Sequence, residues 1–183
     1  MAATSALFDW MHKQVRTLAQ RAGVHVPEPA RPASLDAAEV SVGLPLPPSY
    51  RRFLSLQDGW PEMWRGLTLL GTQGLQNEGT EGWDLVMFRD RYARERGLDW
   101  RDPRSLRAFD PGPGKVVPWL LLVIAIAKDG RLLGFNTREA PREGEWPLVY
   151  CDADGSVRDG FASFDAFLQA VHDERLGLNE PNS

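Results

Sequence analysis

Residues 116–127 read V-V-P-W-L-L-L-V-I-A-I-A, a run without a charged residue that ends at Lys128-Asp129-Gly130. A membrane-crossing helix needs about 20 apolar residues, so this run is too short to span a bilayer and must be buried inside a folded domain. Its Val and Ile content, the early Pro118 and the closing Asp-Gly favour a strand over a helix. On a strand, Leu120, Leu122, Ile124 and Ile126 point one way and Leu121, Val123, Ala125 and Ala127 the other. Both sets are apolar, which predicts an interior strand covered on two sides, with the alanine side admitting closely packed chain. Asp129-Gly130 predicts a type I′ hairpin turn leading into an antiparallel strand over residues 131–136.

The rest of the chain supplies the cover. Leu7, Trp10, Met11, Val15, Leu18 and Ala22 recur at helical spacing over residues 6–22, with Gly23 as a stop. Pro27, Pro29 and Pro32 then predict an extended linker. Ser34 is placed to cap a short helix burying Leu35, Ala38 and Val42 and ending at Gly43. A second helix starts near Pro48, buries Tyr50, Phe53 and Leu54, and stops at Asp58-Gly59. Residues 60–64 read as a loop, 67–70 as a short strand and 71–82 as a Gly-rich mobile connection. A helix over residues 83–96 turns Trp83, Met87 and Tyr92 inward. Strands are expected over residues 147–152 and around Val157, joined by a turn at Asp154-Gly155. A closing helix capped by Ser163 buries Phe164, Phe167, Leu168 and Val171. Helices, an insertion, several antiparallel strands and a final helix make an α+β layer structure with a mostly antiparallel central sheet covered by helices.

Few chemistries survive inspection. A formal charge of -4 in 183 residues argues against a nucleic-acid binder. The arginines from Arg89 to Arg107 are interrupted by Asp90, Glu95, Asp99 and Asp102, which reads as a salt-bridged helix face. A single cysteine, Cys151, excludes an internal disulfide and points to a reducing cytosol. On a strand it reads as a small core residue and not as a nucleophile paired with His12, His25 or His172. The three histidines have no metal-ligand spacing, and Asp152-x-Asp154-Gly155 misses the Gly and Glu positions of a calcium loop. No Gly-Lys-Ser/Thr follows the glycines at 71, 74, 79 and 82, so no phosphate loop forms. No cofactor, metal or membrane span is expected.

The segment Glu39-x3-Gly43-x2-Leu46-Pro47-x2-Tyr50-x2-Phe53-Leu54, followed by Asp58-Gly59, resembles the opening motif of the SUKH superfamily. Val123 to Ala127, Asp129-Gly130, Leu132 to Phe135, Pro147 to Asp152 and Ser163-Phe164-x2-Phe167-Leu168 resemble its later part. That superfamily takes in yeast cell-wall-synthesis regulators and many bacterial immunity proteins against polymorphic toxins. The resemblance divides the chain into an N-terminal helix and linker at 1–33, a SUKH-like domain at 34–176 with an insertion at about 72–113, and a tail at 177–183. It implies a cytoplasmic immunity protein, without catalysis, that holds a cognate toxin domain by direct protein contact. A regulatory or scaffolding adaptor of the same fold is the alternative.

Recognition on a rigid scaffold falls to loops rich in Trp, Tyr and Arg. Asp58, Trp60, Glu62 and Trp64, joined by Trp83, are therefore the expected partner-contact residues. The competing expectation is that residues 58–64 form a helix-ending turn whose tryptophans simply cover the sheet.

Overall fold

The computed structural model describes residues 7, 9–11, 13, 14, 16, 17, 27–99, 102, 109–139 and 141–175. Arg101, Arg104, Arg107 and the 177–183 tail lie outside them. The apolar run becomes the third strand of a six-stranded antiparallel meander. Its members are β1 (Trp60–Trp64), β2 (Leu67–Leu69), β3 (Leu121–Ala127), β4 (Leu132–Asn136), β5 (Leu148–Cys151) and β6 (Val157–Phe161), side by side in chain order. Among the described residues, the sheet is accompanied by α1 (Pro32–Val42), α2 (Pro48–Leu56), α3 (Thr72–Leu75), α4 (Gly79–Glu95) and α5 (Phe164–Arg175). The described residues between 7 and 17 are also helical. Leu7 and Met11 from that stretch are buried in the same core as the sheet, so it packs onto the domain. The α+β layer structure with an antiparallel sheet is therefore the observed fold.

Every residue of β3 is buried, as a strand covered on both faces must be. Its two faces are nonetheless not the ones simple alternation gives. Val123 pairs with Gly134 but Ala125 pairs with Leu133, so Ile124 is an extra residue without a partner on β4. One added residue exchanges the faces beyond it. Leu121 and Val123 therefore share a face with Ile126, while Leu122 lies with Ala125 and Ala127. The carbonyl of Ile124 is not wasted, because it accepts the Leu70 amide at 2.8 Å. Opposite the bulge only glycine fits: a Cβ on Gly134 would sit 2.9 Å from the Leu121 Cβ and 3.1 Å from the Leu122 carbonyl oxygen.

The aromatic layer covers one face. Trp60, Leu69, Ala125, Leu133 and Tyr150 form one cross-strand row, and Trp64, Leu67 and Ala127 form another on the same side. The small alanines lie under rings from α2 and α5. Tyr50 meets Phe135 at 5.8 Å and Phe164 at 5.0 Å, and Trp64 meets Tyr150 at 5.0 Å and Phe167 at 5.5 Å between centroids. Edge-on and tilted contacts of this kind suit the ring quadrupoles. The opposite face carries Thr68, Ile126, Leu132 and Cys151 in one row. There α4 packs with Leu85, Phe88 and Tyr92 buried.

Several local expectations change. Residues 118–120 form a 3-10 turn, so the strand begins at Leu121; Pro118 lacks the amide a ladder would need. The β3–β4 connection is not a type I′ turn. Only Gly130, at φ 87°, has positive φ, and Gly130 donates to the Ala127 carbonyl while Ala127 donates to that of Arg131. That is a three-residue loop closed by a left-handed glycine. Asp129 stays out of the left-handed region, and its carboxylate accepts from the backbone and Nε of Arg131. The first helix of the domain starts at Pro32 rather than after Ser34, because proline is pre-set for the first helical position. The extended linker is held in place: Ala30 donates to Leu54 and Asp58 donates to Glu28. Residues 71–82, read as a mobile connection, instead build α3 and the start of α4.

Candidate partner-binding surface

Residues 60–64 form β1 and not a loop, which decides where the expected contact residues go. Four residue steps on β1, from Trp60 to Trp64, face only two on β2, from Leu69 to Leu67. The surplus bulges outward, with Glu62 at φ 46°. Both tryptophans consequently point into the aromatic layer. Trp60 is 1% exposed and Trp64 5%. The Trp64 indole N–H donates to Glu174 Oε2 at 2.7 Å, and the Arg65 guanidinium stacks 4.3 Å from the centre of its ring. Asp58 is also occupied. Its two carboxylate oxygens accept the Thr72 amide at 2.5 Å and the Thr72 hydroxyl at 2.7 Å, which caps α3 from outside the helix. Trp60 and Trp64 thus cover the sheet from within a strand of it, not from a turn, and Asp58 caps α3.

Glu62 and Trp83 face solvent instead. The apolar spacing in α4 is Leu85, Phe88 and Tyr92, three and four residues apart, so Trp83 and Met87 lie on the outer side. The expectation that both turn inward fails because a helix can dedicate only one stripe to the sheet. Trp83 is 64% exposed and Met87, one turn later, 57%. Met87 borders a groove of about 430 Å³ whose other wall is Ile126, Ala127, Lys128 and Gly130 at the end of β3. The exposed Lys128 ammonium reaches Glu62 Oε1 at 3.9 Å. A continuous strip thus runs from Glu62 through Lys128 and the groove to Met87 and Trp83. It joins two of the five expected contact residues. Met87 and Lys128 also lie on this strip, and the spacing of Leu85, Phe88 and Tyr92 in the sequence already implies that Met87 faces outward.

The scaffold behind this strip is fixed by a few short contacts. Glu39 Oε1 accepts the Leu46 amide at 3.0 Å, and Gly43 ends α1 in the left-handed region at φ 75°. The Tyr50 hydroxyl donates to the Leu70 carbonyl at 2.7 Å, tying α2 to the end of β2. Burial, with Asp58 nearby, raises the Tyr50 pKa well above its ordinary value, so it remains a donor. Glu145 accepts from both the amide and the hydroxyl of Ser49, which anchors the loop before β5 to the first turn of α2. Ser163 Oγ accepts the Ala166 amide and caps α5. These contacts use Glu39, Gly43, Leu46, Tyr50 and Ser163, the residues that carry the family motif. The profile of the SMI1 / KNR4 family (SUKH-1) matches residues 29–170. The chain belongs to that family. No curated protein matches it at a significant level.

As a SUKH-1 protein it falls in a group whose roles are those of immunity proteins or related regulators. Cys151, the one thiol of this SUKH-1 chain, is fully buried, and desolvation pushes its pKa up to about 12. A thiol held that way is no nucleophile at neutral pH. Among the described residues, no group of three or more His, Cys, Asp or Glu is arranged to hold a metal ion. No helix among them is long and apolar enough to cross a membrane. Asp154 at the β5–β6 turn serves structure. It accepts from Lys115 Nζ at 2.5 Å and from the amide and hydroxyl of Ser156, and these contacts hold its carboxyl well below the usual range.

Proposed function

We propose that the protein is a cytoplasmic immunity protein that binds and neutralises a cognate toxin domain, and that it does so through the strip from Glu62 to Trp83. The observation that carries this reading is the exposure of Trp83 and Met87 one turn apart on a helix whose opposite side is firmly packed. Tryptophan dominates binding energy at protein interfaces, and methionine adapts to irregular partner surfaces. Lys128 and Glu62 supply the polar rim that such an interface requires. Capping a toxin takes a rigid body and an exposed contact strip, with no reaction at the binder. The cytosolic setting is supported by the single buried thiol.

The test is co-expression of the chain with the toxin domain encoded beside it, with growth rescue and co-purification as readouts. The wild type rescues and co-purifies, whereas Trp83→Ala with Met87→Ala loses both while remaining folded by circular dichroism. Failure of the wild type to bind the toxin, together with capture of a different protein from unstressed cells, would move the chain to the regulatory or adaptor side of its family.

A further inference from the structure

A second concavity lies on the α4 face of the sheet, away from the strip. It encloses about 320 Å³ between the end of α1, the α3–α4 connection, α4 and the start of β3. Leu121 and Val123, turned to this face by the bulge at Ile124, line it together with Leu75 and Leu85. Its charged lining consists of one residue, Arg89, and no Asp or Glu is among the described lining residues. The Nε–H of Arg89 is sealed from solvent without a hydrogen-bond acceptor. Among the described residues Arg89 has no ion pair. Elsewhere this acidic chain pairs its arginines readily: Arg51 with Asp36 and Glu39, Arg52 with Asp165, Arg131 with Asp129. Desolvation lowers the Arg89 pKa to about 10, which leaves it charged at neutral pH.

An uncompensated guanidinium on an apolar wall is costly unless something anionic meets it. We propose that this concavity is a binding site for a small carboxylate with a short apolar tail. Its carboxylate accepts from the Arg89 fork, and its tail lies over Leu121, Val123 and Leu85. The two parallel N–H donors of a guanidinium match a carboxylate's two oxygens. The Asn77 amide and the Ser41 hydroxyl, also on the wall, supply further polar contact. The volume is at the small end of ligand sites, which span about 300–1,000 Å³, and that restricts the tail to a few carbons. The site does not depend on the toxin-binding reading, since it shares no lining residue with the strip.

The probe is sodium hexanoate, followed by calorimetry and by the Arg89 Nε–H resonance in NMR, with hexanol, hexylamine and hexyl phosphate as companions. Hexanoate binds saturably one to one and shifts the Arg89 Nε–H. Hexanol and hexylamine bind at least about tenfold more weakly, as loss of a charge-assisted bidentate contact requires. Arg89→Met likewise weakens hexanoate at least about tenfold, and unliganded Arg89→Met melts at or above the wild-type temperature because an unpaired charge has been removed. An arginine present only for structure would instead lower the melting temperature on substitution. The proposal is overturned by the absence of saturable hexanoate binding up to about 10 mM, a limit set by millimolar dissociation constants. Equal binding of hexanol, equal binding by Arg89→Met, or a drop in its melting temperature also overturns it. Tighter binding of hexyl phosphate than of hexanoate overturns the carboxylate assignment.

Discussion

Trp64 and Trp83 are the same residue type in opposite situations, and exchanging each for alanine separates a core role from a surface role. A tryptophan buries about 150–250 Å² when enclosed, and burial contributes about 25 cal/mol per Å². Trp64 hides nearly all of its surface and makes a hydrogen bond to Glu174 besides. Trp64→Ala therefore loses about 3–5 kcal/mol, once the cavity is only partly refilled. Trp83 hides about a third of its surface. That fraction of about 200 Å² corresponds to at most about 1.7 kcal/mol. The retained Cβ and the better helix propensity of alanine, about 0.5 kcal/mol, reduce the net loss to about 1 kcal/mol or less. Urea unfolding followed by far-UV circular dichroism measures both. With a domain stability of about 5–15 kcal/mol, the first substitution shifts the midpoint substantially and the second barely. If Trp83→Ala unfolds as early as Trp64→Ala, the outer side of α4 is not a free surface and the proposed contact strip is wrong.

Three further outcomes follow from named contacts. Asp58→Ala leaves the Thr72 amide and hydroxyl without their acceptor and lowers unfolding stability by about 2–4 kcal/mol in urea titration, since each bond to a charged group contributes about 1.5–3 kcal/mol. A neutral result would show that Asp58 is available for a partner after all. The Cys151 thiol stays unreactive towards a disulfide reagent at pH 8 until the protein is unfolded, whereas rapid labelling of the native chain would contradict its burial. Asp154 has a folded pKa depressed below its ordinary 3.8, so its contribution is complete above that value and is lost as pH falls beneath it. The stability gap between the wild type and Asp154→Asn is therefore constant above about pH 5 and shrinks below about pH 4, by thermal melts across that range. A gap that widens on acidification would reverse the assigned sign.

The fold was legible where a local rule and the tertiary structure agree. A fully buried strand within the uncharged run, the spacing Phe164, Phe167, Leu168 and Val171, and the Ser163 cap all reappear. What could not be read was register. An extra residue such as Ile124 alters which side chains share a face without altering composition or hydrophobicity, because its signature is a carbonyl claimed by Leu70, far away in sequence. Residues 60–64 failed as a strand for a related reason. Trp-Pro-Glu-Met-Trp lacks alternation because its middle is bulged, and only the pairing with Leu67 and Leu69 reveals it. At the candidate surface, residue type alone cannot separate the exposed Trp83 from the buried Trp60 and Trp64. Type reports the capacity to bind; exposure decides whether it is used.

The two faces of the sheet carry different obligations, and this explains where recognition can reside. The aromatic face is closed by α2 and α5, whose rings interlock with β1, β4 and β5, so a change there disturbs several partners at once. Among the described residues, α4 covers the opposite face through Leu85, Phe88 and Tyr92. A helix is narrower than a sheet of six strands. It leaves the groove beside Lys128 on one flank and the concavity beside Arg89 on the other. Outer positions on such a helix can change without touching the core, because their side chains meet solvent and not the sheet. Trp83 and Met87 can therefore vary while the contacts made by Glu39, Tyr50 and Ser163 hold the family fold unchanged.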